Sequence, residues 1–66
     1  MNVVERIIEK FGSQEAVAKA VGVTQPTVSY WKETGFIPAR RQEQLLQAAR
    51  DKQIDLTEAD FFQGAA

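Results

Sequence analysis

The chemistry available to this sequence is concentrated in a run of amides and hydroxyls, Thr24-Gln25-Pro26-Thr27-Val28-Ser29-Tyr30. An amide side chain donates and accepts at once, and a hydroxyl does the same with a rotatable proton, so such a run suits recognition of hydrogen-bonding patterns rather than bond breaking. Composition removes most alternatives. With no histidine and no cysteine among 66 residues, the chain lacks the usual neutral-pH acid–base group, the thiolate nucleophile, the imidazole and thiolate metal ligands, and any disulfide. No glycine-rich phosphate loop is present either. An enzyme, a metal centre and a cofactor are therefore not expected.

These side chains need a scaffold, and the periodicity of the sequence predicts one made of helices. Val4, Ile7, Ile8 and Phe11 recur at helical spacing, so residues 2–11 read as a first amphipathic helix closed by Gly12. Ser13 offers a cap for a second, whose apolar side is Val17, Ala18 and Val21. Gly22 then supplies a left-handed corner at little steric cost. Thr24 is placed to cap a third helix, tolerant of Pro26 in its first turn and running to Lys32 or Glu33, with Val28 and Trp31 inward. A fourth helix is predicted over residues 39–51, with Leu45, Leu46 and Ala49 inward and Arg40, Arg41, Gln42 and Gln44 outside. Residues 1–53 thus form one small domain and residues 54–66 a tail. Within the tail, residues 54–62 read as a short fifth helix capped by Thr57 with Asp60 three positions on, or as a strand.

Two short helices meeting at a glycine corner make a rigid unit whose second helix can enter a groove about 12 Å wide, that of the DNA major groove. The segment QEAVAKAVGVTQPTVSYWKE, Gln14 to Glu33, fits the helix-turn-helix pattern, with Ala18 as its small residue and Gly22 in the turn. Val17, Val21, Val23, Val28 and Trp31 occupy its buried places. At about 100° per residue, Pro26, Ser29, Tyr30 and Glu33 face away from Val28 and Trp31, with Gln25 and Thr27 on the flanks. The Gln25 amide matches the N7 and N6 edge of adenine, and Thr27 or Pro26 suits a thymine methyl. Tyr30 either reaches the sugar–phosphate backbone or joins the core. Lys32, Arg40 and Arg41 bracket the following loop, as phosphate partners or as ordinary solvated charges.

The wider stretch FGSQEAVAKAVGVTQPTVSYWK resembles the Cro repressors of temperate bacteriophages and similar small bacterial regulators. The resemblance implies an all-α, lambda-repressor-like fold, a compact bundle of four to five short helices. It further implies a repressor that reads double-stranded operator DNA in the bacterial cytoplasm, as a homodimer at least on DNA, with no small-molecule ligand. In that family the start and outward face of the third helix touch the bases, which here falls on Thr24, Gln25, Pro26, Thr27, Ser29 and Tyr30. Gln14, at the start of the second helix, takes the place of a glutamine that holds a phosphate.

The charge balance tempers this reading. Eight basic and nine acidic groups leave a net charge of −1, although residues 1–50 hold seven basic and five acidic groups and the acidic excess lies in residues 51–66. Nonspecific affinity for a polyanion should be modest, so groove contacts and dimerisation must supply the rest. Phe61 and Phe62, with the fourth helix, are the expected subunit contact, or else a cap on the chain's own core. A small protein-interaction module that docks a partner through the aromatic tail, and an antitoxin or host regulator of the same fold, remain open. No signal peptide or membrane span is expected, because the apolar runs are two or three residues long.

Overall fold

Helix starts are where this chain commits itself. The computed structural model describes residues 2–61, and the first helix, α1 (Val3–Phe11), opens on a complete capping box. The Glu5 amide donates to Asn2 Oδ1 at 2.8 Å, and the Asn2 amide donates to Glu5 Oε1 at 2.9 Å. Two donors that a helix start leaves orphaned are satisfied reciprocally, and Asn2 becomes the cap rather than the first helical residue. After Gly12, the Ser13 hydroxyl accepts from the Ala16 amide at 3.1 Å and starts α2 (Gln14–Val21). Gly22 closes α2 in the left-handed region, φ 70 and ψ 33.

The third helix, α3 (Gln25–Thr34), begins at Thr24, but the Thr24 hydroxyl makes no capping bond. It pairs instead with the Thr27 hydroxyl at 3.0 Å, while the Thr24 carbonyl accepts from the Thr27 and Val28 amides. The helix outruns the predicted end at Lys32 or Glu33 because Gly35 is the true stop. The fourth, α4 (Ala39–Asp51), has the predicted bounds. It ends with Gln53 at φ 59, where the Ile54 amide reaches back to the Ala49 carbonyl at 2.7 Å and the Gln53 amide to the Arg50 carbonyl at 3.2 Å. That pair is a Schellman ending with glutamine in the place glycine usually takes.

Among the described residues there is no strand, and the tail forms a single 3₁₀ turn, Glu58–Phe61, in place of a fifth α-helix. The reason is local. The Asp60 carboxylate accepts from the Thr57 amide at 2.9 Å, which closes the start of this turn. Phe62 lies outside the described residues.

One apolar core joins all four α-helices: Val3, Val4 and Ile7 from α1, Val17, Ala18 and Val21 from α2, Val28 and Trp31 from α3, and Leu45 and Ala49 from α4. Ile37, in the loop before α4, is buried as well, a position without helical periodicity to announce it. Leu46, predicted inward, is only half-buried. Leu56 and Phe61 lie against the core from the tail, so Phe61 covers the chain's own interior. Lys10 fastens that strap, donating to the Asp55 carbonyl at 2.6 Å and pairing with Asp60 at 3.4 Å. The Asp60 carboxyl sits below its ordinary value chiefly because the Thr57 amide donates to it; burial opposes that shift, and the hydrogen bond and charge of Lys10 and the Thr57 hydroxyl add to the lowering.

Candidate functional site

The α2–α3 unit is held from behind. Val17, Ala18 and Val21 on α2 and Val28 and Trp31 on α3 are all buried, so the outward sides of both helices are fixed relative to each other by close packing. Gly22 makes the corner, and a Cβ built there would meet nothing within 4 Å. The corner therefore depends on a backbone conformation and not on a tight fit.

On the outward side lies a shallow cleft of about 450 Å³ lined by Gln14, Gln25, Pro26, Ser29, Tyr30 and Glu33. Four of the six residues predicted to touch bases, Gln25, Pro26, Ser29 and Tyr30, thus converge there with Gln14 from the start of α2. Tyr30 is 64% exposed, which removes the core alternative for that ring. Thr24 and Thr27 do not line the cleft, and their hydroxyls are engaged with each other. Glu33 brings a carboxylate to one end, and the lining contains no basic side chain.

The predicted phosphate partners are spread more widely. Lys32 is half-buried and lines a neighbouring recess with Glu5, Ile8, Glu9 and Gln14. Arg40 is exposed at the start of α4. Arg41, predicted to point outward, is half-buried and donates from Nη1 to the Val21 carbonyl at 3.3 Å and to Gln44 Oε1 at 2.8 Å. It caps the carbonyl end of α2, where a cation is favoured, and keeps further guanidinium donors for another partner. Gln42, also predicted outside, is half-buried and donates to the Ile37 carbonyl at 2.7 Å. Both stand on or beside the Leu45–Ala49 stripe at helical spacing, and their donors serve carbonyls that need them, one at the end of α2 and one in the loop before α4. Lys10 is taken up by the tail strap, and Lys19 faces Glu15 at 3.9 Å in an exposed pair of small energetic value.

Two residues that the sequence did not single out adjoin the end of α3. Phe36 follows Gly35 and is 63% exposed, an aromatic ring outside any helical stripe. Asn2, besides capping α1, donates from Nδ2 to the Lys32 carbonyl at 2.8 Å and so touches the end of α3. An Asn-x-x-Glu pattern before an apolar helix signals the cap, but nothing in sequence signals a bond thirty residues away.

Among the described residues no helix is long and apolar enough to cross a membrane. Residues 4–51 match the family model described as "DNA-binding transcriptional regulator Cro". A curated relative, "Regulatory protein cro" of Salmonella phage P22, is 56% identical over 27 residues, which is 41% of this chain and 44% of the relative. The aligned part is thus less than half the length of that relative. No solved structure matches the chain.

Proposed function

The chain belongs to the family of Cro DNA-binding transcriptional regulators, and from that premise we propose that it is a repressor reading a double-stranded operator with the outward face of α3 in the major groove. The observation that carries the reading is the cleft itself. Exposed amide, hydroxyl and ring groups from α3 stand beside the start of α2, on a unit whose other side is packed into the core. A rigid helix with adaptable polar tips is what discrimination among base edges requires, because a misplaced donor forfeits its bond.

Within this reading Gln25 takes adenine through paired bonds to N7 and N6, and Ser29 reaches a neighbouring edge. Pro26, or Thr27 from the flank beside Thr24, packs on a thymine methyl, and Tyr30 meets the sugar–phosphate backbone. Glu33, if it enters the groove, accepts from cytosine N4. Gln14 and the free amides at the start of α2 hold a phosphate and set the register, helped by Lys32, Arg40 and the unused donors of Arg41. Two copies place their reading helices about 34 Å apart on a pseudo-palindromic site, and repression follows from occupancy. Because Phe61 lies on its own core, we assign the contact between copies to the exposed Phe36 rather than to Phe61. No cofactor or small ligand enters this scheme, and the site of action is the bacterial cytoplasm.

Selection of bound duplexes from a random pool, followed by a salt titration on the winner, tests the reading. A recurrent pseudo-palindrome with affinity falling steeply in salt is the expected result. Enrichment of no sequence, or affinity for a protein partner that salt leaves unchanged, would replace it with the protein-docking alternative.

A further inference from the structure

We propose that Asn2 is a positioning residue for the reading helix, a single side chain that caps the start of α1 and holds the end of α3. The inference rests on the reading of α3 given above. Its physical basis lies in the way α3 terminates. The last four carbonyls of a helix lack intrahelical donors. In a Schellman ending the amide at the glycine position would satisfy the carbonyl of Lys32. Here the Gly35 amide goes to the Trp31 carbonyl instead, at 2.7 Å, and the Phe36 amide and Thr34 hydroxyl go to that same oxygen at 3.3 and 3.2 Å. The Lys32 carbonyl is left to Asn2, whose Nδ2 donates to it at 2.8 Å.

The orientation of that amide is not free. A backbone carbonyl only accepts and a backbone amide only donates, so Nδ2 must face Lys32 while Oδ1 faces the Glu5 amide at 2.8 Å. The Asn2 amide, bonded to Glu5 Oε1 at 2.9 Å, fixes the backbone of the same residue. Asn2 also borders the turn beyond α3, since a Cβ on Gly35 would lie 3.8 Å from Nδ2. Past Trp31, moreover, none of Lys32, Glu33 and Thr34 is buried. Apolar packing therefore holds α3 through Val28 and Trp31 and the chain next at Ile37, and between those anchors the end of α3 is bonded to α1 through Asn2. Loss of that tether lets α3 pivot about its buried middle, which swings Glu33 at one end and Gln25 at the other relative to Gln14.

Three variants separate the two tasks of the side chain. Asn2→Asp keeps an oxygen that caps α1, removes the donor to Lys32 and adds a charge; Asn2→Ser keeps the capping oxygen without a charge, on a side chain one bond shorter than the one that carries Nδ2 to Lys32; Asn2→Ala removes both functions. Each is compared with the parent chain at a temperature where circular dichroism shows all four folded. The readouts are amide hydrogen exchange in the free protein and affinity for the pool-selected duplex and for a random duplex of equal length. We expect Asn2→Asp and Asn2→Ser to keep α1 protection and to speed exchange at Gly35 and Phe36, and Asn2→Ser, which adds no charge, to bind the selected duplex about tenfold more weakly while its random-duplex affinity changes less than about twofold. Asn2→Ala should add loss of protection at Glu5. A merely structural role would lower both affinities together, and that outcome, or selected-duplex binding within twofold of the parent, overturns the proposal. A parent chain that binds no duplex overturns the reading of α3 and with it the positioning role, whereas the exchange rates at Gly35 and Phe36 decide the tether independently of any DNA.

Discussion

The α2–α3 unit and the strap formed by residues 54–61 lie against the same core, yet they are held in different ways. The unit contributes Val17, Val21, Val28 and Trp31, all buried, and is pinned further by Arg41 at the end of α2. The strap contributes the half-buried Leu56 and Phe61 and depends on Lys10 for its polar fastening. Close-packed apolar contacts cannot be loosened one at a time without leaving a cavity, whereas a strap with few buried contacts can open alone. The rigid region carries the polar cleft, and the peelable one covers the side of α1. Rigidity is thus placed where side chains must meet fixed partners.

The largest test of this contrast is Trp31→Ala. Removing a ring that is 4% exposed should cost about 3–5 kcal/mol, comparable to the whole stability of a small domain. Denaturant unfolding should show a chain largely unfolded at room temperature, and a loss below about 1 kcal/mol would mean that the unit is not held from behind as described. Next comes Gln25→Ala, which should leave unfolding unchanged and weaken binding to the selected duplex by about 1–3 kcal/mol with relaxed preference at one base pair. Equal weakening on random duplex would remove Gln25 from base reading.

Gln53→Gly addresses the joint between α4 and the strap. A non-glycine residue in the left-handed region carries a cost of roughly 1 kcal/mol, so the substitution should raise stability by about that amount with duplex affinity unaltered. A destabilised variant would show that the Gln53 side chain matters to the Schellman ending. The smallest effect belongs to Asp60→Asn, about 0.2–1 kcal/mol in thermal unfolding. Because the folded Asp60 carboxyl titrates below its unfolded value, its contribution is present above about pH 4 and fades as pH falls through the folded value. The protection of the Asp60 amide, which donates to the Thr57 carbonyl, relative to its intrinsic exchange rate at each pH should therefore fall on acidification before that of Val28 does. Simultaneous loss would merge strap and core into one cooperative unit.

Much of this was legible because punctuation and periodicity act locally. Gly12, Gly22 and Gly35 end α1, α2 and α3, and the buried residues of those helices, Ile7, Val17, Val21, Val28 and Trp31 among them, fall on the stripes that spacing defines. The convergence of Gln14 with Gln25, Ser29 and Tyr30 follows from the corner at Gly22. What escaped depends on distant or competing partners. By angle Gln42 falls within the Leu45–Leu46–Ala49 arc of α4 and Arg41 at its edge, so it was their polarity and not their spacing that pointed outward, and carbonyls at Val21 and Ile37 receive their donors. Thr24 holds a cap position while its hydroxyl prefers Thr27. The tail shows a helix signature at Thr57 and Asp60, and the same hydrogen bond is equally satisfied by one 3₁₀ turn.

The empty space beside Gly22 separates shape from sterics at the most conspicuous bend of the chain. Since an added methyl would collide with nothing there, tolerance at this position should follow the torsional preferences of each residue type alone. Asparagine, which visits the left-handed region readily, should be accepted, alanine should cost about 1–2 kcal/mol, and valine more. A saturation library at position 22 would then form a graded series of thermal stabilities that leaves the lettering of the chosen DNA site unchanged.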